Sequence, residues 1–211
     1  MKNLFFGGSS EIAIKIAKKI KNTNNISRSK SKFYLKNYVI KNYNSDNIKK
    51  VLKIINNKFD NIVIFNGAFS GSFLTNYEEK EFNRIFTLNF KIPMLIAQLS
   101  LKQKIINKNG AIFFISSVAA ETDDPGNAYY SIAKNSLNFG AKILGKEQRK
   151  RGIRINVISL GTVKNKMGST ALKIIANNRK KIIYKNNKFI NKIVKLLKNK
   201  NLNLKKIIIR W

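Results

Sequence analysis

The sequence predicts an α/β fold: a doubly wound parallel sheet with helices on both faces. Three observations predict it. Short apolar runs alternate with amphipathic segments of helical period along the whole chain. Two of those runs, "NIVIFNG" (61–67) and "GAIFFISS" (110–117), are apolar on both faces, as strands inside a parallel sheet are. The first run breaks at Gly7-Gly8 and passes straight into a helical segment, the kind of strand–helix turn that such sheets place at a ligand crevice.

The elements follow in order. "NLFF" (3–6) is the first strand. "SEIAIKIAKKIKN" (10–22) puts Ile12, Ile16, Ala17 and Ile20 at helical spacing, with lysines opposite. "NNIS" (24–27) and "FYLKNYVI" (33–40) read as the second and third strands. "SDNIKKVLKIINNK" (45–58) is a helix with Ser45 or Asp46 as its N-cap. The strand at 61–67 is followed by a long helix over 77–105 with Pro93 inside it. After the strand at 110–117 comes a helix over 128–152, closed by Gly152. A strand (153–161), a helix (189–200) and a last strand (205–211) complete the chain. No linker divides residues 1–211, so one domain is expected, with no separate substrate domain.

Composition excludes several chemistries. The 211 residues include no cysteine and no histidine. Disulfides, Ser-His-Asp and Cys-His catalysis and the usual zinc sites are therefore out. Acid-base work falls to Tyr, Lys, Asp or Glu. No run approaches a membrane span and the start is too short for a secretory signal, so a cytoplasmic protein is expected. The net charge is +32, from 42 basic and 10 acidic residues. Such a field favours polyanions. Asn, Ile and Lys are enriched throughout, however, which favours drift in composition over a nucleic-acid-binding patch.

The residues just after each strand carry the chemistry in such folds. In "FGGSSEIA", Gly7 and Gly8 permit a tight turn, and Ser9 and Ser10 add hydroxyl donors beside free helix N–H groups suited to a phosphate. Arg28 follows the second strand, where an arginine suits the 2′-phosphate of NADP and an acid would suit NAD. Ser117 ends a buried strand. Tyr130 follows 13 residues later and Lys134 one helical turn after that, on the same face. A phenol is a poor acid-base group at neutral pH, and a nearby ammonium is expected to lower its pKa.

These features together resemble the short-chain dehydrogenase/reductase family, whose fold is Rossmann-like. Tyr130 and Lys134 match its Tyr-x-x-x-Lys motif, with Ser117 upstream. Asn89 in "TLNFKIP" lies at the spacing of the family's asparagine, and "RGIRINVISLGTVKNKM" resembles its later strand. The likeness runs essentially from end to end.

The resemblance implies roles. Tyr130 is the general acid or base, Lys134 tunes it and binds the nicotinamide ribose, both count among the cofactor-binding residues, Ser117 orients a carbonyl, and Asn89 anchors a proton-passing water. Gly7, Ser9, Ser10 and Ile12 line the cofactor loop. Asn42 and Tyr43 match positions that reach the adenine, Asn66 the asparagine of the family's "NAG", and Val163 a backbone contact to the carboxamide. NADP(H) is favoured over NAD(H). The chain departs from the pattern at Glu11 and Ala13, which replace later loop glycines, in "NGA" for "NAG", at Asn42 and at Leu160. It also ends at Trp211 without the family's usual tail.

The expected function is transfer of hydride between nicotinamide and a carbonyl or alcohol. A 3-oxoacyl group on acyl carrier protein is one candidate substrate, with sugar-nucleotide and small-ketone reductases also open. Residues 119–124 and 167–188 are expected to line the pocket. A homodimer or homotetramer through the helices 77–105 and 128–152 is expected. The alternative is a degenerate dinucleotide-fold protein that binds polyanions such as nucleic acid through its charge.

Overall fold

Seven strands account for the apolar runs: β1 (Asn3–Phe6), β2 (Thr23–Ser27), β3 (Lys36–Val39), β4 (Phe59–Ile64), β5 (Ile106–Ser117), β6 (Arg154–Leu160) and β7 (Lys206–Ile209). In the computed structural model, which describes residues 1–122, 124–163, 167–170 and 188–209, they form one sheet in the order β3-β2-β1-β4-β5-β6-β7. Every pairing is parallel. The chain runs outward from β1 to β3, then crosses to β4 on the other side of β1. That reversal opens a crevice at the carboxyl ends of β1 and β4, where Gly7 and Asn66 stand.

Among the described residues the helices that flank the sheet are α1 (Glu11–Ala17), α2 (Ser45–Ile54), α3 (Glu79–Phe86), α4 (Ile92–Lys102), α5 (Ala128–Glu147) and α6 (Lys188–Lys198). Strand period two sorts the core into two layers. Leu4, Phe6, Ile62, Ile64, Ile112 and Phe114 pack with Ile48 and Leu52 of α2, Ile96 of α4 and Leu137 of α5. Phe5, Val63, Phe113, Ile115 and Ile158 pack with Ile16 of α1 and Ile190 and Ile193 of α6. Helices therefore cover both faces, as the sequence predicts.

Local details differ from the sequence reading. The cap of α2 is Asn44, whose side chain accepts from Asn47 N, rather than Ser45 or Asp46. Asn44 has extended φ and ψ, which leaves its amide oxygen free to turn back on the helix. The segment 77–105 is interrupted: a π turn (Thr87–Lys91) separates α3 from α4, and Pro93 sits in the first turn of α4. The backbone stays helical through the π turn, where Ile92 N donates to Thr87 O, and Pro93, which has no N–H to place, follows directly. The helix predicted over 128–152 ends at Glu147, and a 3-10 turn leads to Gly152 at φ +67. The β2–β3 link spans only residues 28–35, with no helix. Most parallel connections need a dozen residues or more. Here Tyr34, from the link itself, fills the place of a covering helix: it is buried, edge-on to Phe5. The predicted last strand stops at Ile209, and residues 210–211 lie outside the described ones.

Candidate active site

Tyr130 and Lys134 both sit on α5 and face the ends of the strands. Lys134 is buried, and its Nζ donates to the carbonyl of Ile115 on β5 at 3.0 Å. The same Nζ lies 5.8 Å from the centroid of the Tyr130 ring. Burial lowers the lysine from its ordinary value of 10.5 to about 8. Ser117 ends β5, where its Oγ accepts from Ala119 N at 3.2 Å. The tyrosine reverses the expected direction. Burial raises the Tyr130 phenol above 10.0, and a hydrogen bond with Ser117 offsets part of that rise. Desolvation outweighs any stabilisation of the phenolate by the lysine, so the resting phenol is protonated.

Asn89 reaches this cluster because of the π turn. One extra residue in the turn swings its side chain inward, and such turns occur often at functional sites. Its Nδ2 donates to Ala68 O at 2.8 Å and Ile85 O at 2.9 Å, and its Oδ1 accepts from Ala68 N at 3.3 Å. Gly67 lies between Asn89 and Lys134. A Cβ there would stand 2.7 Å from Asn89 Oδ1 and 3.3 Å from Lys134 Nζ. The order "NGA" thus has a steric consequence: it leaves these two polar groups room to approach the backbone after β4.

On the other side of the crevice, Gly7 adopts φ +72, a conformation that favours glycine. Its N–H donates to Ile26 O at 2.9 Å and to the Tyr43 hydroxyl at 3.2 Å. Ser10 caps α1 by accepting from Ala13 N at 3.3 Å. Ser9 is exposed, and so is Glu11, in the first turn of α1. An acid in a first turn suits the helix dipole and is exposed to water here. Ile12 is half-buried against the α1 and α6 core layer.

Asn66 Oδ1 is a buried acceptor with no hydrogen-bond partner, and it would lie 3.4 Å from a Cβ on Gly7. A left-handed glycine turn at the switch point, an exposed serine and an unsatisfied amide oxygen beside them fit the phosphates and ribose of a dinucleotide. Arg28 is exposed at the end of β2, and its charge reaches the Tyr43 phenol. Burial raises that phenol most, and Asn66, Gly7 and Arg28 lower it. The Tyr43 hydroxyl also donates to Ile26 O at 3.0 Å, so it braces the glycine loop against β2. The side chain of Asn42 is engaged by Asn47 at 2.7 Å. Val163 is buried beyond β6. Most of the expected pocket segment 167–188 lies outside the described residues, as does Asp123.

Sequence reading missed two residues of this side. Tyr34 donates to Gly8 O at 2.6 Å. A Cβ on Gly8 would stand 2.3 Å from Asn25 Oδ1, so Asn25 on β2 dictates glycine there. Neither residue belongs to a motif; only the tight β2–β3 link brings them to the loop.

Comparison with known proteins agrees with this fold. Residues 16–197 match the family model described as enoyl-(acyl carrier protein) reductase. The chain belongs to the short-chain dehydrogenase/reductase family of oxidoreductases. Among curated relatives, a 3-oxoacyl-[acyl-carrier-protein] reductase FabG of Rickettsia felis is 28% identical over 133 residues, 62% of this chain and 55% of the relative. An uncharacterized oxidoreductase, YmfI of Bacillus subtilis, is 30% identical over 122 residues, 58% of this chain and 50% of the relative. The matches thus span about half the length of these relatives. A short-chain dehydrogenase family protein from Francisella tularensis superposes with a TM-score of 0.82 at 19% identity, over 99% of this chain and 96% of the other. A dehydrogenase/reductase from Sinorhizobium meliloti gives 0.80 at 19% identity, over 99% and 93%. At that identity the structural likeness speaks for the fold.

Proposed function

We propose that the chain is an NADP(H)-preferring oxidoreductase that interconverts a carbonyl and an alcohol, with Ser117, Tyr130, Lys134 and Asn89 as its catalytic set. The observation that carries this reading is the buried Lys134 ammonium 5.8 Å from the ring of a tyrosine that is itself hydrogen-bonded to Ser117. Bound nicotinamide would supply or accept the hydride. Ser117 holds the substrate oxygen. Tyr130, protonated at rest, gives its proton to that oxygen in reduction. Lys134, with a pKa of about 8, is mostly cationic at neutral pH and stabilises the phenolate left behind. Lys134 then gives a proton back to the phenolate, while Asn89 holds the backbone at Ala68 and anchors the water through which Lys134 is reprotonated.

Gly7, Ser9, Ser10 and Ile12 would hold the phosphates, Asn66 the ribose side and Val163 the carboxamide. Arg28 would take the 2′-phosphate. Tyr43 and Asn42 flank the adenine, although the Tyr43 hydroxyl and the Asn42 side chain already serve the protein.

A carrier-bound 3-oxoacyl group is the substrate we favour. The support is the name carried by several curated relatives and a charge of +32, which suits an acidic carrier. A homo-oligomer goes with it: Ile132, Phe139 and Ile143 stay exposed along α5, an apolar stripe suited to a second copy.

The test is NADPH consumption with a 3-oxoacyl thioester on carrier protein and on a pantetheine mimic, alongside NADPH and NADH titrations. Turnover with tighter NADPH binding is expected. A chain that binds neither dinucleotide would overturn the reading, and a preference for NADH would overturn the part given to Arg28.

A further inference from the structure

We propose that Ser72, outside the catalytic set, is a positioning residue that caps α5 from a distant loop and so holds Tyr130 against Ser117. The inference rests on the reductase reading above. The first N–H groups of a helix have no partner within it, and the preceding residue commonly supplies one through its side chain. Asn127 holds that place in α5 and makes no cap bond. Its Oδ1 instead accepts from the Ser131 hydroxyl at 3.0 Å.

Ser72 does the capping. Its carbonyl accepts from Ala128 N at 3.1 Å, and its Oγ accepts from Tyr129 N at 3.0 Å. Its own N–H donates to Gly126 O at 3.0 Å, completing a parallel bridge to Asn127. The same loop is fastened again by Tyr129, whose ring is 1% exposed. The Tyr129 hydroxyl donates to Asn76 O at 3.2 Å and accepts from Glu78 N at 2.6 Å. Phe69, earlier in the loop, lies edge-on to Tyr130 at 5.3 Å between centroids. The loop begins at the backbone that Asn89 grips. It therefore ties the π turn to the first turn of the helix that carries Tyr130. Ser117 sits on the sheet and does not follow if that first turn shifts. The two backbone bonds of Ser72 survive any side-chain change, whereas the Oγ bond to Tyr129 needs a hydroxyl.

The test compares Ser72→Ala, Ser72→Thr and wild type in the full chain. Amide exchange at Ala128 and Tyr129 is expected to speed up by about tenfold in Ser72→Ala and to stay near wild type in Ser72→Thr. With carbonyl substrate, kcat is expected to fall by about tenfold or more in Ser72→Ala, with NADPH Kd unchanged and rescue by Thr. A merely structural cap would speed exchange in Ser72→Ala and be restored by Thr while kcat stayed at the wild-type value. Unchanged exchange in Ser72→Ala, or unchanged kcat, would overturn the proposal. If wild type turns over no carbonyl, the reductase reading fails by itself and the exchange readout decides the cap.

Discussion

The two sides of the crevice are held by different kinds of bond. On the α5 side, Lys134 and Asn89 are pinned to backbone carbonyls of β5 and of the segment after β4, and Ser117 ends a strand. On the β1–β3 side, the glycine loop is braced by side chains from neighbouring segments: Tyr43 on Gly7, Tyr34 on Gly8, and Asn25 beneath it. The first side owes its geometry to β5 and α5, whose spacing sets how Ser117, Tyr130 and Lys134 meet, and to the π turn that brings in Asn89. The second owes it to contacts between loops. On the proposed roles, chemistry falls to the first side and cofactor selection to the second, so variants on the two sides should separate kcat from cofactor Kd.

The largest expected effect is that of Tyr130→Phe. Loss of the phenol hydroxyl removes the proton donor and is expected to lower kcat by roughly a thousandfold. NADPH binding should be unchanged, since the cofactor loop is untouched. Fluorescence titration alongside steady-state turnover checks both. A variant that keeps more than a tenth of wild-type kcat would break the assignment of roles to the α5 side.

Next comes the pH dependence of stability without cofactor. Burial holds Lys134 at about 8 against 10.5 when exposed. Between those pH values the unfolded chain binds a proton that the folded chain does not, so stability rises as pH climbs through the window. The gain from this one group is about 3 kcal/mol at most. Below pH 8 both states carry the charge and the penalty is constant. Urea midpoints of wild type and Lys134→Met, compared from pH 7 to 10.5, should converge with rising pH. Parallel curves would show that the ammonium is not desolvated.

Legibility followed the same division. The parallel sheet with helices on both faces is readable because β-branched and aromatic runs, such as "NIVIFNG", bury on both faces and alternate with amphipathic helical segments. The pairing of Tyr130 with Lys134 is readable from helical spacing. The direction of the Tyr130 shift was not readable, because desolvation depends on what covers the ring, and no motif encodes that. The π turn at Asn89 was hidden too: "TLNFKIP" continues a helical pattern, and one extra residue in a turn leaves no mark on periodicity. Tyr34 and Asn25 escaped notice because their partner, the Gly8 turn, becomes their neighbour only once the short β2–β3 link closes.

Gly67→Ala sharpens the comparison from the α5 side. Its Cβ would intrude on Asn89 Oδ1 and Lys134 Nζ together. Expected is a kcat loss on the order of tenfold to a hundredfold, with cofactor Kd little changed. Equal activity would mean that Asn89 moves aside without consequence and would remove it from the catalytic set.

The smallest effect belongs to the β1–β3 side. Arg28 is exposed, so its attraction to a phosphate is screened by water and salt. Arg28→Ala is expected to raise NADPH Kd by roughly tenfold at low salt and less at high salt, since charge-assisted bonds at such sites are modest. NADH binding should stay as it is, because that cofactor lacks the 2′-phosphate. Turnover at saturating NADPH should also be preserved, the reverse of the Tyr130→Phe pattern. If both dinucleotides weaken together, Arg28 acts through Tyr43 and the loop it braces, and the phosphate contact is refuted. If kcat falls as well, the two sides of the crevice are coupled, and cofactor selection cannot be assigned to one of them alone.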